Sequence, residues 1–551
     1  MKLLSFPVLL VGGCALAASP NKPNIITIIV DDMGYSDLGC YGGEIETPNI
    51  DRLANQGVRA TQFYTASRSC PTRASLMTGL FQHTAGIGYM SEDPVVKQGG
   101  DPHVWDSKEY KGSLNNECVT MGTVLSSAGY HTYMVGKWHL GIHKDSSWPL
   151  QRGFDRFYGI LAGACNYFQP NGGRGLTLDN KQLPTPKMPY YTTDAFTDYA
   201  IDFIDSQDDS NPFFLYLAYN APHWPLQAKA EDVELFKERY LSKGWDEIRE
   251  ERLSRMKSLG ILPEDCGYGE WENRSWDELT QKGQEESAFR MAVYAAQVYS
   301  VDQNVGRLLD YLEKNGELDN TLILFMSDNG ACAEPMSKEL GGGSQSDINN
   351  PYLKGNLVSY GRAWAQTAAT PFRKYKQRAY EGGISSPLIV FWPKGLKGKE
   401  NTWFTTPAYM PDIMPTYIEV AGAKYPNKHN GCDIAPLVGK SIIPIVKGEQ
   451  DTLHEYMFWE HQGNRAVRWG DWKVVWDEKV KEWELYNIAQ DRVETNNLAS
   501  SHSDITKQLS SKWMEWADEY NVIVDFNAEK LRQNAKRNSG VKQKKSKKSR
   551  K

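Results

Sequence analysis

Short apolar runs alternate with turn-rich stretches and helical patterns along most of the 551 residues. This rhythm predicts an α/β fold: a large mixed, mostly parallel sheet flanked by helices, with a smaller C-terminal α+β domain. Two observations carry the prediction. Ile25 to Val30 is continuously apolar or Thr, as a strand buried on both faces must be, and Phe213 to Ala218, Thr321 to Met326 and Pro387 to Trp392 read alike. From about Asn430 the spacing changes to that of a small antiparallel sheet.

The elements follow in order. After the strand at 25–30, Thr47-Pro48 opens a helix through Ile50, Leu53 and Ala54 that ends near Gly57. Val119 to Ala128 reads as a helix and His131 to Val135 as a strand. Beyond Phe213 to Ala218, a long helix carries Val298, Val301, Val305, Leu308, Leu309 and Leu312 on one face. Glu231 to Lys282, charged and containing Trp, breaks the pattern as an inserted helical or irregular excursion. In the C-terminal part, Tyr456 to Glu460, Ala466 to Trp476 and Trp483 to Ile488 read as strands. About Ile505 to Tyr520 reads as a helix.

The composition, 40% hydrophobic and 24% charged with a net charge of -6, is globular and offers no basic field for nucleic acid. Met1-Lys2, the apolar run Leu3 to Val11 and Ala15-Leu16-Ala17-Ala18 read as a secretory signal over residues 1–18, with Ser19 to Pro23 as a hinge. Export to the periplasm or the extracellular space is expected, with a lipid anchor at Cys14 as the alternative. No other segment is apolar for long enough to form a transmembrane helix. Of eight cysteines, seven remain without the signal, and no C-x-x-C pair occurs, so neither a disulfide scaffold nor a zinc site is supported. One or two bridges stay open. The Lys- and Arg-rich end, within 531–551, reads as a solvated disordered tail.

In open α/β sheets ligands collect beyond the carboxyl ends of the strands. There stand Asp31-Asp32, then Gly136-Lys137-Trp138-His139, then Asn220-Ala221-Pro222-His223, then Ser327-Asp328-Asn329-Gly330. Each alone could be a helix cap or an Asx turn. Together, on strands of one sheet, three carboxylates would repel one another unless a cation lay between them. Oxygen ligands without thiolates suit Ca²⁺ or Mg²⁺.

Ser67-Arg68-Ser69-Cys70-Pro71-Thr72-Arg73-Ala74-Ser75-Leu76-Met77-Thr78-Gly79 matches the sulfatase maturation signature: Cys or Ser, any residue, Pro, any residue, Arg, four residues, Thr-Gly. With the strand-end residues above, Lys376 before Tyr380-Glu381-Gly382-Gly383, and Trp483-Glu484-Leu485-Tyr486-Asn487, the chain resembles type I sulfatases of the alkaline phosphatase superfamily over about residues 23 to 500. Thr370-Pro371-Phe372-Arg373 and Tyr360-Gly361-Arg362-Ala363-Trp364 resemble the bacterial arylsulfatase branch. Ser385-Ser386-Pro387 stands where many relatives carry Arg-Val-Pro, which weakens any transfer of their substrate contacts.

The resemblance implies an alkaline phosphatase-like catalytic domain over 22–430, with an insertion at about 231–282, and a C-terminal subdomain over 431–530. It implies hydrolysis of aryl or carbohydrate sulfate esters. Ser69 would be oxidised to formylglycine by a separate maturation enzyme; Pro71 and Arg73 fall at the required offsets from Ser69 and not from Cys70. Asp31, Asp32, Asp328, Asn329 and residue 69 would hold Ca²⁺, with Mg²⁺ the second choice. Arg73 would steady the hydrated aldehyde, with Asp328 as its base. Lys137 and Lys376 would bind sulfate oxygens, His139 would take the second hydroxyl proton, and His223 would serve the bridging oxygen. Trp224, Trp364 and the 231–282 stretch are expected to shape the pocket. The alternatives are a phosphodiester or phosphonate monoester hydrolase on the same site, and an unmatured protein that binds sulfated glycans.

Overall fold

The computed structural model describes residues 22–91, 107–334 and 359–524; the expected signal with Cys14 and the basic tail lie outside the described residues. Ten strands of the central sheet are β1 (Asn24–Val30), β2 (Val58–Ala60), β3 (His131–Lys137), β4 (Arg156–Ile160), β5 (Leu176–Leu178), β6 (Lys181–Gln182), β7 (Phe213–Ala218), β8 (Thr321–Ser327), β9 (Leu388–Phe391) and β10 (Thr402–Phe404). Their spatial order is β10-β2-β9-β8-β1-β7-β3-β4-β5-β6. The five central strands β8, β1, β7, β3 and β4 are mutually parallel, and antiparallel neighbours flank them. The expected mixed, mostly parallel sheet is present.

Parallel strands must be covered on both faces, and β1 shows how its sequence meets that demand. Ile26, Ile28 and Val30 enter one apolar cluster, while Ile25 and Ile29 enter the cluster on the opposite face. Thr27, the polar exception, lies 2.6 Å from the Tyr417 hydroxyl and so has a buried partner. Helices α1 (Pro48–Asn55), α4 (Thr192–Asp205), α5 (Ala230–Ser258) and α6 (Gln281–Lys314) supply residues to the first cluster. Helices α2 (Ser69–Thr78), α3 (Met121–Ser127) and α7 (Ile413–Ala421) supply the second. The stretch read as an insertion is α5 with its following loop, packed along α6. It bends at Gly244 (φ 62°, ψ −178°), where a Cβ would stand 2.2 Å from the Trp276 ring.

The C-terminal sheet comprises β11 (Tyr456–His461), β12 (Asn464–Trp469), β13 (Trp472–Trp476) and β14 (Trp483–Asn487), antiparallel in sequence order, with α8 (Ser503–Glu519) packed on it. One expectation needs correction: Ala466 to Trp476 is not one strand. It folds back between Trp469 and Trp472, with Gly470 at φ 54°. Alternating apolar residues on both arms hid the two-residue turn. No two cysteines are bridged among the described residues, so the expected option of one or two disulfides finds no support there. No described helix is long and apolar enough to cross a membrane.

Candidate active site

Strand register gathers the site. Val30 pairs with Ser327, so Asp31-Asp32 and Asp328-Asn329 leave adjacent strands side by side. The Asp328 N–H donates to the Val30 carbonyl (3.0 Å), and the Asp32 N–H donates to Asp328 Oδ1 (3.2 Å). Asp32 adopts φ 68°, a left-handed conformation rare outside glycine, which turns the chain over the sheet edge. On the other side of β7, Gly136 near the end of β3 has φ 105°, and a Cβ there would lie 1.9 Å from the Ala218 carbonyl oxygen. Only glycine lets Lys137 and His139 follow so closely on the neighbouring strand.

Asp31, Asp32, Asp328 and Asn329 are almost wholly buried. Lys137 Nζ donates to Asp31 Oδ2 at 2.6 Å, and Lys376 Nζ donates to Asp32 Oδ1 and Oδ2 at 2.6 and 2.8 Å. Asn329 Nδ2 donates to Asp32 Oδ1 at 2.6 Å, and His223 Nε2 lies 3.5 Å from Asp32 Oδ2. Helix α2 brings Ser69 to the same place by its first residue. Ser69 Oγ accepts from Arg73 Nε at 3.1 Å and lies 3.3 Å from His139 Nδ1. Arg73, one turn along, reaches Asp328 Oδ2 with Nε and Nη2, each at 2.9 Å, and donates from Nη1 to the Lys137 carbonyl at 3.1 Å. All ten residues to which the resemblance assigns catalytic or metal-binding roles therefore meet in one place.

The electrostatics follow from burial and crowding. Burial and then the charge of Asp328 push Asp31 well above the usual carboxylate range, although Lys137 opposes them. Burial draws Lys137 down, so that pair is pulled toward neutrality from both ends. Burial works against the charged forms of Asp32 and Asp328 too, but Lys376 with His223, and Arg73 with Lys137, outweigh it and hold both below the usual range. Burial, reinforced by the Lys137 and Arg73 charges, keeps His139 well below an ordinary imidazole; burial lowers His223 to about 4, against the pull of Asp32. His223 Nδ1 lies 2.5 Å from the Trp224 carbonyl oxygen, which places the ring proton on Nδ1 and leaves Nε2 toward the site.

The donor set fits a hard cation. Asp31 Oδ1 and Asn329 Oδ1 are buried without a hydrogen-bond partner among the described residues, beside two further carboxylates. Asp31, Asp32 and His223 also present ligand atoms within 4.8 Å of one another. Unmet oxygens amid like charges are the arrangement a divalent cation relieves.

Burial and pairing show which of the neighbouring basic residues joins the acidic cluster. Lys376 is 4% exposed and held on Asp32, whereas Lys374 pairs with Glu272, Arg373 with Glu270 and Glu484, and Arg378 donates to Asn464. Two pocket expectations need correction. Trp364 is wholly buried among Tyr240, Trp245 and Trp276, with its indole N–H on Ser287, so it belongs to the core. The 231–282 stretch reaches the site at one remove: Arg252 binds Asp37 and Glu44, and Asp37 in turn accepts from the Gly34 N–H. Trp224 does stand at the site, ring centroid 4.7 Å from that of His223.

Sequence reading passed over Arg68, Glu334 and His461. Arg68 Nη1 donates to Glu334 Oε1 at 3.0 Å, and Trp224 Nε1 donates to Glu334 Oε2 at 2.5 Å. Their nearness to Ser69 and Asn329 in the chain was the only available signal for the first two. For His461, which arrives from the C-terminal sheet, there was none.

Comparison with known proteins agrees with this geometry. The sulfatase family model matches residues 23–423, and the model described as N-sulphoglucosamine sulphohydrolase, C-terminal, matches 372–519. An uncharacterised sulfatase of Schizosaccharomyces pombe is 38% identical, covering 93% of this chain and 97% of that protein. The arylsulfatase of Klebsiella aerogenes is 33% identical, over 79% of this chain and 95% of its own. The crystal structure of Ps i-CgsB in complex with k-i-k-neocarrahexaose superposes with a TM-score of 0.67 at 27% identity, covering 94% of this chain and 98% of that one. Strand ends, buried carboxylates and sequence kinship converge: the chain belongs to the sulfatase family and is a sulfuric ester hydrolase.

Proposed function

We propose that this enzyme is exported and hydrolyses carbohydrate O-sulfate esters, with a formylglycine made from Ser69 as nucleophile beside a Ca²⁺ held by Asp31, Asp32, Asp328 and Asn329. The observation that carries the proposal is the position of Ser69 Oγ. It lies between Arg73 and His139, and Arg73 also contacts Asp328 in the acidic cluster whose Asp31 Oδ1 and Asn329 Oδ1 have no hydrogen-bond partner among the described residues. Support for a carbohydrate comes from the oligosaccharide bound by the solved relative. Export rests on the sequence of residues 1–18.

Oxidation of the Ser69 side chain by a maturation enzyme removes two hydrogens, and hydration of the aldehyde gives a gem-diol. A bound cation would supply positive charge to a sulfate oxygen and to the nucleophile. Asp328 takes a proton from one diol hydroxyl, and that oxygen attacks sulfur. His223 Nε2, which lies 3.5 Å from Asp32 Oδ2, first takes up a proton as the anionic ester binds. When the bond from sulfur to the bridging oxygen breaks, it passes that proton to the oxygen and returns to the neutral Nδ1–H form, and the alcohol leaves. Lys137 and Lys376 bind the remaining sulfate oxygens, where charge accumulates. His139, kept neutral by burial and neighbouring cations, then takes the proton of the second hydroxyl. The bond from carbon to the sulfated oxygen breaks, inorganic sulfate departs, the aldehyde re-forms and water restores the diol. A plain serine would stop at the sulfate ester.

The test uses matured full-length protein with p-nitrophenyl sulfate, O-sulfated monosaccharides and bis-p-nitrophenyl phosphate. Sulfate release from both sulfate classes, abolished in Ser69→Ala with an unchanged circular dichroism spectrum, is the expected result. A phosphodiester rate above every sulfate ester rate would overturn the reading.

A further inference from the structure

The hydrolytic steps leave one buried side chain without a task. His461, the last residue of β11, is 1% exposed, and neither Nδ1 nor Nε2 has a hydrogen-bond partner among the described residues. Leaving both polar atoms of an imidazole unmet is costly, so such a residue requires an explanation. Burial does not put it beyond a substrate's reach, because Ser69 and Lys376 are equally enclosed at 2% and 4%. The ring stacks on Tyr89, with centroids 6.3 Å apart and planes within 17°. Tyr89 begins a run that borders the site: its carbonyl accepts from Cys70 Sγ (3.5 Å), Met90 Sδ accepts from Arg68 Nε (3.4 Å), and Ser91 Oγ donates to the His139 carbonyl (3.3 Å). Burial, then the charges of Arg68, His83 and Lys376, hold His461 well below an ordinary imidazole. It is therefore neutral, with one donor and one acceptor.

The leaving group must lie on the side of His223, which serves the bridging oxygen. The next ring there is Trp224, tied through its indole N–H to Glu334, which also holds Arg68. The second terminal nitrogen of Arg68, Nη2, has no partner among the described residues. Arg68 and Glu334 cancel in charge, and His461 and Trp224 carry none. Among the described residues this side therefore offers hydrogen bonds and an aromatic face without the surplus positive charge that a second anionic group would need.

We propose that Trp224, Arg68 and His461 form the leaving-group subsite and accept a neutral pyranose ring, with Trp224 covering its apolar face while Arg68 Nη2 and His461 bind its hydroxyls. Glu334 acts as the positioning residue for Arg68 and Trp224. A flat aryl group has nothing to offer the donor and acceptor of His461. The proposal rests on the carbohydrate sulfate-ester reading and deepens it by naming the residues that hold the leaving sugar and the absence of a second charge on it.

The test compares kcat/KM for p-nitrophenyl sulfate with that for a panel of 3-, 4- and 6-O-monosulfated galactose, N-acetylglucosamine and N-acetylgalactosamine, in wild type, His461→Phe and His461→Gln. In His461→Phe the sugar-to-aryl ratio of kcat/KM should fall about 10-fold or more, chiefly through the sugar KM, as expected for a lost hydrogen bond in a buried site. His461→Gln, which keeps a donor and an acceptor, should recover part of the ratio. The wild type should also prefer 6-O-monosulfated N-acetylglucosamine to glucosamine-2-N,6-O-disulfate. An unchanged ratio in His461→Phe, whether both activities fall together or neither does, overturns the proposal. So does turnover of p-nitrophenyl sulfate with no sugar monosulfate cleaved, an outcome that also removes the carbohydrate part of the proposed function and leaves sulfate-ester hydrolysis with a formylglycine standing. Failure on every sulfate ester by protein shown to carry formylglycine would overturn both.

Discussion

Arg73 Nε donates at once to Ser69 Oγ (3.1 Å) and to Asp328 Oδ2 (2.9 Å), so one guanidinium ties the proposed nucleophile to a proposed metal ligand. Arg73 is wholly buried, and burial of that cation is offset by Asp328 and Asp31, which keep it charged. Replacing it with Lys keeps the charge but loses the fork that meets both partners. The expected outcome for Arg73→Lys is a fall in kcat of about 100- to 1000-fold, with Arg73→Ala lower still. Steady-state kinetics on matured protein check this; a Lys variant within a few-fold of wild type would show that the fork is not needed.

The acidic cluster predicts a response to chelation. Without a cation, Asp31, Asp32 and Asp328 repel one another and two neighbouring oxygens stay unmet. EDTA should lower both activity and the melting temperature, and Ca²⁺ should restore both, in proportion to occupancy. Differential scanning calorimetry reads the second effect independently of turnover. Identical melting curves with and without EDTA, for protein shown by elemental analysis to lose its metal, would count against the site.

Arg252 is the keystone between α5 and the loop beyond Asp32. Its Nη1 donates to Asp37 Oδ1 (2.7 Å), and Nε and Nη2 donate to Glu44 (2.7 and 2.8 Å), all fully buried. Removing one partner of a buried ionic group leaves the others uncompensated, at about 3–5 kcal/mol. Arg252→Leu should lose about that much stability in urea unfolding, and it should lower activity through the loop that carries Asp31 and Asp32. A loss below about 1 kcal/mol would mean that water already screens the cluster.

A second buried cluster, against the C-terminal sheet, sets a pH dependence. Lys473 Nζ donates to Glu381 Oε1 and Glu494 Oε1, both at 2.9 Å. Burial and the adjacent Glu381 charge push Glu494 up to about 7, despite Lys473; burial works against the charged form of Glu381 as well, but Lys473, Arg492 and Arg468 outweigh it and hold that carboxyl down. The signs are opposite. The contribution of Glu494 is fully present below its unfolded value of 4.5 and is lost as pH rises through about 7. That of Glu381 is present above its unfolded value and is lost as pH falls through its depressed folded value. Glu494→Gln should therefore gain on the wild type in melting temperature between pH 5 and pH 8. A difference that stays constant across that range would contradict the assignment.

Much of this was legible in the sequence because it is local. Apolar runs such as Ile25 to Val30 announce central strands, and the residues just after them must stand at the sheet edge. What stayed hidden depends on tertiary pairing. The short strands Val58–Ala60, Arg156–Ile160 and Thr402–Phe404 carry too little pattern to read, and they form because a neighbouring edge offers hydrogen bonds. Trp364 reads as a pocket residue because nothing local shows that Trp245 and Trp276 enclose it. His461 is separated from Ser69 by almost the whole catalytic domain, and only the docking of the C-terminal sheet brings it near. The choice of Lys376 over Arg373, Lys374 and Arg378 required the ion pairs themselves.

The most direct measurement is the mass of the peptide that carries residue 69, taken from protein made in its native host. Formylglycine predicts a species lighter than the encoded peptide by two hydrogens, which reacts with a hydrazide probe, in amounts that track sulfatase activity across preparations. Fully active enzyme whose peptide retains an intact serine would contradict the account.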